Sequence, residues 1–390
     1  MGAHSAAALD TSPREIKALT GLRAFAAFWV LLFHLKNGLI ATFPDFAPLL
    51  RLVVGTGYLG VDLFFVLSGF IISYTYAERF RAFDLAQYGR FLWARLARIY
   101  PVHLVTLIAV VIFISVVKVL PDMPLPQPER YTLGRLLENL LLLHGWAFPI
   151  EKSWNVPAWS ISVEWLAYLL FPLVTLAVAT VRQPILILTV ILALFGLQAM
   201  IYGATDHRGT VSYGLARLAV EFPAGCLLYQ LYRQGCWSKA VWGAIVIGIS
   251  LCAALLLLLD MQGILRGAGG ELALFVVPPA ALAAMVYGLA CEERAPISRW
   301  LSRPTMLFWG RASYSLYMVH FVLIMMLTWF LPWAELATQD FWTRFTVLAA
   351  LVVAILGASA ATYRFIEVPS RRWMRRLAPD PEPAPVLGRG

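Results

Sequence analysis

The stretch IKALTGLRAFAAFWVLLFHLKN, residues 16–37, decides the class of fold. It is almost entirely apolar and long enough to cross a ~30 Å hydrocarbon core as one helix. It carries Arg23 and His34, and no small-residue cleavage site follows it. We therefore expect a retained first transmembrane helix and not a signal peptide.

Apolar segments of similar length recur along the chain. Of the 390 residues, 60% are hydrophobic and 14% are charged, whereas a soluble domain carries roughly 25% charged residues. Nine further spans are predicted, at residues 58–76, 99–120, 158–180, 184–202, 213–232, 240–259, 271–291, 306–331 and 341–363. The prediction is an all-α polytopic bundle forming one membrane domain, residues 16–376.

Residues 131–146 are too short and polar to span comfortably, so we expect an interfacial or re-entrant helix there. With a cytoplasmic N-terminus, the inside segments then carry about twice the basic residues of the outside loops, as the positive-inside rule requires. The prediction is a multi-pass protein of the inner membrane with both termini cytoplasmic. Residues 1–15 form the N-terminal segment, and the Pro-rich residues 377–390 are expected to be a disordered tail.

The formal charge of +9 does not indicate a nucleic-acid partner, because the basic residues lie in short clusters between apolar segments. The partner that composition predicts is the lipid bilayer. The four cysteines lack the spacing of a metal site, so no metal is expected.

Ionisable residues inside spans are candidates for function, because a charge at mid-bilayer costs at least ~2.5 kcal/mol. Arg23 and His34 are eleven residues apart, about three helical turns, so they share a face some 16 Å apart along the axis. A neutral imidazole at that depth can take a proton from an attacking hydroxyl. The alternative is a histidine near a helix end that merely bonds a neighbour.

Arg95 and Arg98 lie three residues apart at the cytoplasmic end of the third predicted span, on one helix face. Two guanidinium groups there suit a phosphorylated ligand, because each can bind phosphate in a bidentate manner. Ordinary positive-inside anchoring also explains the pair, and composition alone favours this anchoring role over phosphate binding.

Asp62, in the second predicted span, either orients a histidine or arginine of the site or closes a structural ion pair. We place it with His34 and Arg23 among the candidate catalytic residues.

Arg217 and Glu221 in the sixth span are four residues apart, so we expect them to pair with each other.

Candidate substrate-binding residues follow the third span. Glu164 begins the fourth span just after Trp154 and Trp159, whose rings either belong to an interfacial aromatic belt or stack on a sugar. His320 is a second intramembrane histidine, and Tyr317, three residues earlier, would satisfy its hydrogen bonding. His103, near the cytoplasmic end of the third span, is expected to be interfacial.

Several of these stretches, taken in order, resemble acyltransferase family 3, the integral membrane O-acyltransferases. The matching stretches are IKALTGLRAFAAFWVLLFH, GYLGVDLFFVLSGFIIS, FLWARLARIYP, WNVPAWSISVEW, RASYSLYMVHF and RFIEVPSRRW. The resemblance implies that His34 is the catalytic histidine with Arg23 as its partner, and that Arg95 and Arg98 form the family's Arg-x-x-Arg motif. Many relatives have a second acid after the fourth-span glutamate, where this chain has Trp165.

The resemblance implies transfer of an acyl group, most often acetyl, from acyl-CoA (acetyl-CoA as the usual donor) to a hydroxyl of a surface glycan, an exopolysaccharide or a small molecule. Many relatives add a soluble C-terminal domain that completes the transfer. Without one, this chain would act alone, as a homo-oligomer, or with a separate partner protein. The alternative function is a transporter or flippase of a lipid-linked glycan without acyl transfer, which would use the same polar residues as a pathway.

Overall fold

A computed structural model describes residues 14–120, 125, 127–147, 150–203, 213–235, 243 and 268–378, and within these ranges the chain is helical, with no strand. The first eight helices are α1 (Lys17–Thr42), α2 (Ala47–Val53), α3 (Leu59–Tyr76), α4 (Leu85–Val119), α5 (Leu133–Leu140), α6 (Trp159–Thr180), α7 (Pro184–Gly203) and α8 (Gly214–Arg233). The later ones are α9 (Ala268–Cys291), α10 (Pro296–Leu301), α11 (Pro304–Arg311), α12 (Ser313–Phe330), α13 (Trp333–Leu336), α14 (Phe341–Thr362) and α15 (Val368–Arg376).

The described part of the chain contains seven helices that are long and apolar enough to cross a membrane. They overlap the first five and the last two predicted spans, and the protein is a multi-pass membrane protein. The predicted sixth span is α8, which is less apolar because it carries Arg217, Glu221 and Arg233. The eighth corresponds to α9, whose apolar part is Val276–Cys291. The seventh, residues 240–259, and the predicted tail lie outside the described residues except for residues 243, 377 and 378.

The polar segment at residues 131–146 forms a helix only over Leu133–Leu140. Eight residues rise about 12 Å, less than half of the hydrocarbon thickness. This length agrees with the interfacial or re-entrant helix that was predicted.

Two predicted boundaries are wrong. The third span was expected to start at residue 99, but α4 begins fourteen residues earlier, where the Asp84 carboxylate accepts hydrogen bonds from the backbone N–H groups of Ala86 and Gln87. His103 is consequently buried well inside the helix and not interfacial, with its Nε2 2.9 Å from the Asn139 carbonyl. The ninth span was predicted as one helix, yet the chain breaks at Ala312 between α11 and α12.

The helices define two ends of the bundle. We call the end where α1 begins the Lys17 face and the end where α1 finishes the Thr42 face. The α12 helix runs parallel to α1, because Ser313 contacts Arg23 near the Lys17 face and His320 contacts His34 further along both helices. Polar residues of α1 and α12 therefore meet at two levels.

A close crossing joins α3 to α8. A Cβ atom at Gly69 would lie 2.0 Å from the Phe222 carbonyl oxygen, and one at Gly225 would lie 2.1 Å from the Val66 carbonyl oxygen. Only glycine fits at both positions, as in closely packed membrane helices. This crossing fixes the wall of the bundle that contains Asp62 and Arg217.

Candidate active site

A cavity of about 90 Å³ lies among α1, α3, α4, α6 and α12. Its apolar walls include Val61, Phe64 and Ile99, and three arginines line its end toward the Lys17 face. These are Arg23, Arg95 and Arg98. A polar group from each of several helices thus faces one cavity within the membrane domain.

The same three arginines also line a wider mouth of about 250 Å³ at the Lys17 face. Arg311, Arg371 and Arg375 complete its basic lining, and Glu15 is the one carboxylate among its described lining residues. The mouth and the cavity therefore adjoin at a layer of arginine. Such a concentration of guanidinium groups suits a ligand with several phosphates.

Glu15 is held at the edge of the mouth by a bidentate pair. Arg311 donates to its two carboxylate oxygens over 2.8 and 3.4 Å, and the Thr20 hydroxyl donates over 2.9 Å. The hydrogen bond from Arg311 lowers the pKa of Glu15, and the same bond raises the pKa of Arg311. Both groups are therefore charged at neutral pH.

Arg95 and Arg98 do not share their partners. The Nη2 of Arg95 donates to the Tyr76 hydroxyl over 3.0 Å, and its guanidinium lies 5.1 Å from the centre of the Tyr76 ring. Arg98 forms an ion pair with Glu367, a carboxylate that is 1% exposed. The Ser315 hydroxyl donates to the second oxygen of Glu367 over 2.6 Å. The ion pair with Glu367 thus fixes the Arg98 side chain, whereas the buried Nε of Arg95 has no hydrogen-bond partner among the described residues.

Glu367 was not selected from the sequence. It ends a π-helical turn, Tyr363–Glu367, that joins α14 to α15, and such turns are frequent at functional sites. The indole N–H of Trp93 donates to the Met374 carbonyl over 2.7 Å and ties α15 to α4. The signal in the sequence was the stretch RFIEVPSRRW, but it did not reveal that its glutamate reaches Arg98.

Arg23 is half-buried, and its Nε lies 3.5 Å from the Ser313 hydroxyl. Glu164 faces the same cavity and accepts hydrogen bonds from Ser68 over 2.6 Å and from Tyr168 over 2.5 Å. The structure thus brings together four candidate residues, Arg23, Arg95, Arg98 and Glu164. The sequence identified each of them but did not show that they share one cavity.

His34 and His320 form a pair in which His34 Nδ1 lies 3.2 Å from His320 Nε2. His34 Nδ1 also lies 2.9 Å from the Val30 carbonyl, and His320 Nδ1 lies 3.1 Å from the Leu316 carbonyl. A carbonyl only accepts, so we assign a proton to Nδ1 of each ring. The one Nδ1–H of His34 is then shared between the Val30 carbonyl and His320 Nε2, which both accept from it, and the lone pair of His34 is on its Nε2. Nε2 is therefore the atom of His34 that can act as a base.

The histidine pair lies one layer beyond the cavity. Phe64 and Tyr317 line the cavity, and the Tyr317 ring centre lies 5.9 Å from that of His320. The hydroxyl of Tyr317 donates to the Pro157 carbonyl over 3.0 Å and lies 2.8 Å from the Ser160 hydroxyl. The Tyr317 hydroxyl is therefore not the hydrogen-bond partner of the His320 ring, whose nitrogens contact His34 and the Leu316 carbonyl.

Asp62 forms a buried ion pair with Arg217, in which Nε donates to Oδ1 over 2.8 Å and Nη2 lies 2.8 Å from Oδ2. Both side chains are at most 3% exposed. Glu221, expected to pair with Arg217, accepts a hydrogen bond from Gln198 over 3.1 Å. The pair between α3 and α8 fits the structural alternative that the sequence left open for Asp62.

Trp154 and Trp159 are both 6% exposed and pack inside the protein. The Trp154 ring contacts Tyr131, and the Trp159 ring lies 5.5 Å from the Arg217 guanidinium. Neither is among the lining residues of the cavity. Within the described ranges, no group of three His, Cys, Asp or Glu residues is arranged to hold a metal ion.

The fold and the site define a class: a multi-pass helical membrane protein in which an arginine-lined mouth adjoins a cavity with polar and apolar walls, with a histidine pair one layer beyond it. The model of acyltransferase family 3, described as an acyltransferase domain, matches residues 16–364. The chain belongs to this family.

Its relatives include the O-acetyltransferase OatA of Staphylococcus aureus, 26% identical over 93% of this chain and 58% of the relative. The acyltransferase MdmB of Streptomyces mycarofaciens is 27% identical over 97% of this chain and 99% of the relative. The peptidoglycan O-acetyltransferase OatA of Listeria monocytogenes is 23% identical over 93% and 56%. The chain thus spans less than two thirds of both OatA proteins. No solved structure matches it.

Proposed function

We propose that this protein transfers an acyl group, acetyl in the first instance, from acyl-CoA to a hydroxyl of a glycan or related acceptor. The observation that carries the proposal is that the arginine-lined mouth adjoins the cavity, because Arg23, Arg95 and Arg98 line both. Family membership and the O-acetyltransferase names of two relatives support the reaction type and a glycan acceptor.

The phosphates of the donor bind in the mouth at the Lys17 face, which is the cytoplasmic face in this proposal. Six arginines and one carboxylate among the described lining residues make the mouth strongly attractive to a polyphosphate. The pantetheine arm then enters the cavity, past Arg95 and Arg98. The axial separation of Arg23 and His34 is about 16 Å, which an extended pantetheine arm can cover.

His34 acts as the general base. Its Nε2 takes the proton of the acceptor hydroxyl as the oxygen attacks the thioester carbonyl. The new C–O bond forms, the C–S bond breaks, and the proton passes to the departing thiolate. Arg23 binds the donor or stabilises the negative charge that develops on the carbonyl oxygen. We favour direct transfer, because α1 carries neither a cysteine nor a serine beside His34.

His320 positions His34 in this mechanism and does not itself touch the acyl group. By accepting from Nδ1, it favours the tautomer that leaves Nε2 unprotonated. Glu164 and the hydroxyl groups around it give the cavity its polar wall, and we place them in contact with the bound substrates. Trp159 packs edge to face against Phe65, which lines the cavity, so it supports the wall from behind, whereas Trp154 packs on Tyr131 away from the cavity.

The test uses purified protein in lipid nanodiscs, with acyl-CoA labelled in the acyl group and a panel of glycan acceptors. We expect free CoA and acylated acceptor to form together, and the His34→Ala variant to form neither. Mass spectrometry of surface glycans from cells with and without the protein then identifies the acceptor. Glycan movement across the bilayer without CoA release would instead support the transporter or flippase.

A further inference from the structure

A second cavity, of about 540 Å³, lies at the Lys17 face between the ends of α3, α6 and α8. None of its lining residues lines the cavity or the mouth of the candidate active site. The proposed acyl transfer therefore gives it no role.

The rim of this second cavity carries three arginines, one near the end of each helix. They are Arg81, Arg182 and Arg233. Glu78 forms ion pairs with both Arg81 and Arg233. Arg182 forms no ion pair among the described residues, although its backbone carbonyl accepts from Gln234 over 2.7 Å. One carboxylate thus pairs with two of the three guanidinium groups, and the rim has an excess of positive charge.

The floor of the second cavity is polar and buried. Ser73, Thr175 and Cys226 line it, each seven or eight residues before the arginine of its own helix end. Cys226 and Arg233 both lie in α8, so the floor is about 10 Å below the rim along that helix. The Thr175 hydroxyl has no hydrogen-bond partner, and the residue is only 9% exposed. A buried hydroxyl without a partner is unfavourable, so it marks a place for an acceptor from a ligand.

We propose that this cavity binds a phosphate ester. The phosphate lies among Arg182, Arg81 and Arg233 at the rim, and an oxygen of the esterified alcohol or its acyl ester accepts from Thr175. An anionic phospholipid and a soluble glycerol phosphate share this chemistry. Positive-inside anchoring explains arginines at the membrane surface, but it needs neither a cavity between them nor an unpartnered hydroxyl at its floor.

The experiment measures thermal stabilisation of the purified full chain in a neutral detergent. Dioctanoyl phosphatidylglycerol, dioctanoyl phosphatidylcholine and glycerol 3-phosphate are titrated separately, since a ligand that binds only the folded state raises its Tm. We expect phosphatidylglycerol to stabilise the protein more strongly than phosphatidylcholine. Stabilisation by glycerol 3-phosphate as well would identify a soluble ester as a source, and its absence would identify the lipid.

Two variants and one control locate the site. Arg182→Gln removes a charge-assisted hydrogen bond and should raise the apparent Kd for phosphatidylglycerol at least about tenfold. Thr175→Val should weaken binding while leaving the Tm without ligand unchanged or higher, because it removes a buried unpaired hydroxyl. Arg303→Gln changes an exposed arginine outside the cavity and should leave the Kd unchanged.

Equal stabilisation by phosphatidylglycerol and phosphatidylcholine would overturn the proposal, because the arginines would then not distinguish an anionic lipid from a zwitterionic one. Equal Kd values for the Arg182→Gln variant and the unmodified chain would overturn it as well. Neither result would affect the proposed acyl transfer, since the residues of the two sites do not overlap.

Discussion

His34 Nδ1 and His320 Nε2 are 3.2 Å apart and join α1 to α12. The pair lies toward the Thr42 face relative to the arginine layer, because eleven residues of α1 separate Arg23 from His34. The carbonyls of Val30 and Leu316 fix the orientation of the two rings. The base and the residue that orients it therefore come from different helices, which meet because α1 and α12 run parallel.

His34→Ala should abolish transfer, because general-base catalysis raises the rate about 10²- to 10⁴-fold. The variant should still fold. His320→Ala should lower kcat by up to about 10²-fold with little change in donor KM, as expected when a base is misplaced. His320→Gln, which keeps an acceptor, should recover part of the lost kcat. Steady-state kinetics of the three purified variants measure these effects. Near-normal turnover by His34→Ala would contradict the mechanism.

Asp62→Asn should chiefly destabilise the protein. Removing one partner of a buried ion pair costs about 3 to 5 kcal/mol, because the other charge stays buried without compensation. We expect a lower Tm and a poor yield, with kcat per folded molecule reduced by less than about tenfold. The double variant Asp62→Leu with Arg217→Met should recover stability, since an apolar pair of similar volume can replace a buried ion pair. A variant Asp62→Asn that folds normally but loses kcat would restore Asp62 to the catalytic residues.

The fold was largely predictable because membrane spans are local: about twenty apolar residues identify each one without knowledge of its neighbours. The site was predictable only in part. Arg23, His34, Arg95 and Arg98 stand out because charged and titratable groups are rare in spans. The contacts that these residues make cannot be predicted from the sequence, because Glu367 lies 269 positions after Arg98 and no local periodicity connects them.

The pairing of Arg217 shows the same limit. Its spacing of four residues from Glu221 predicted a local pair, but the side chain binds Asp62 on a neighbouring helix, 155 positions away. The i, i+4 rule describes an isolated helix, where such a pair gains only about 0.5 kcal/mol. A buried ion pair with a charge-assisted hydrogen bond across the α3 and α8 crossing is stronger, and the packing of the two helices brings its partners together.

Cysteine labelling should establish the orientation of the chain. A single cysteine at Glu129, between α4 and α5, should react with an impermeant maleimide added outside intact cells. One at Arg90 or beyond residue 377 should react only after the membrane is permeabilised. Labelling is read above the background of the unmodified chain. External labelling of the tail would require an odd number of spans.

Arg95→Lys and Arg98→Lys should weaken the donor although both keep the charge, because lysine offers a point charge where arginine offers a planar fork. Loss of one charge-assisted hydrogen bond, roughly 1.5 to 3 kcal/mol, corresponds to a rise in donor KM of about tenfold or more. Acceptor KM should change little. Arg303→Lys, at an exposed position outside the mouth, serves as the matched control. Unchanged donor KM in both variants would remove the two arginines from the donor site.

Glu367→Gln tests how Arg98 is held. Glu367 is 1% exposed, binds Arg98, and is itself held by the Ser315 hydroxyl. Replacing its charge should destabilise the protein by less than the about 3 to 5 kcal/mol of a fully buried pair, because Arg98 is 17% exposed.

If Glu367 positions Arg98 for the donor phosphates, Glu367→Gln should raise donor KM while kcat falls less. Ser315→Ala keeps the ion pair and loses one hydrogen bond, worth about 1 kcal/mol, so it should show the same pattern more weakly. Titration of acyl-CoA against both variants, with Tm measured in parallel, separates loss of positioning from loss of folded protein. A lower donor KM in Glu367→Gln would mean that the carboxylate competes with the phosphates for Arg98, and that Arg98 binds the donor only when it leaves Glu367.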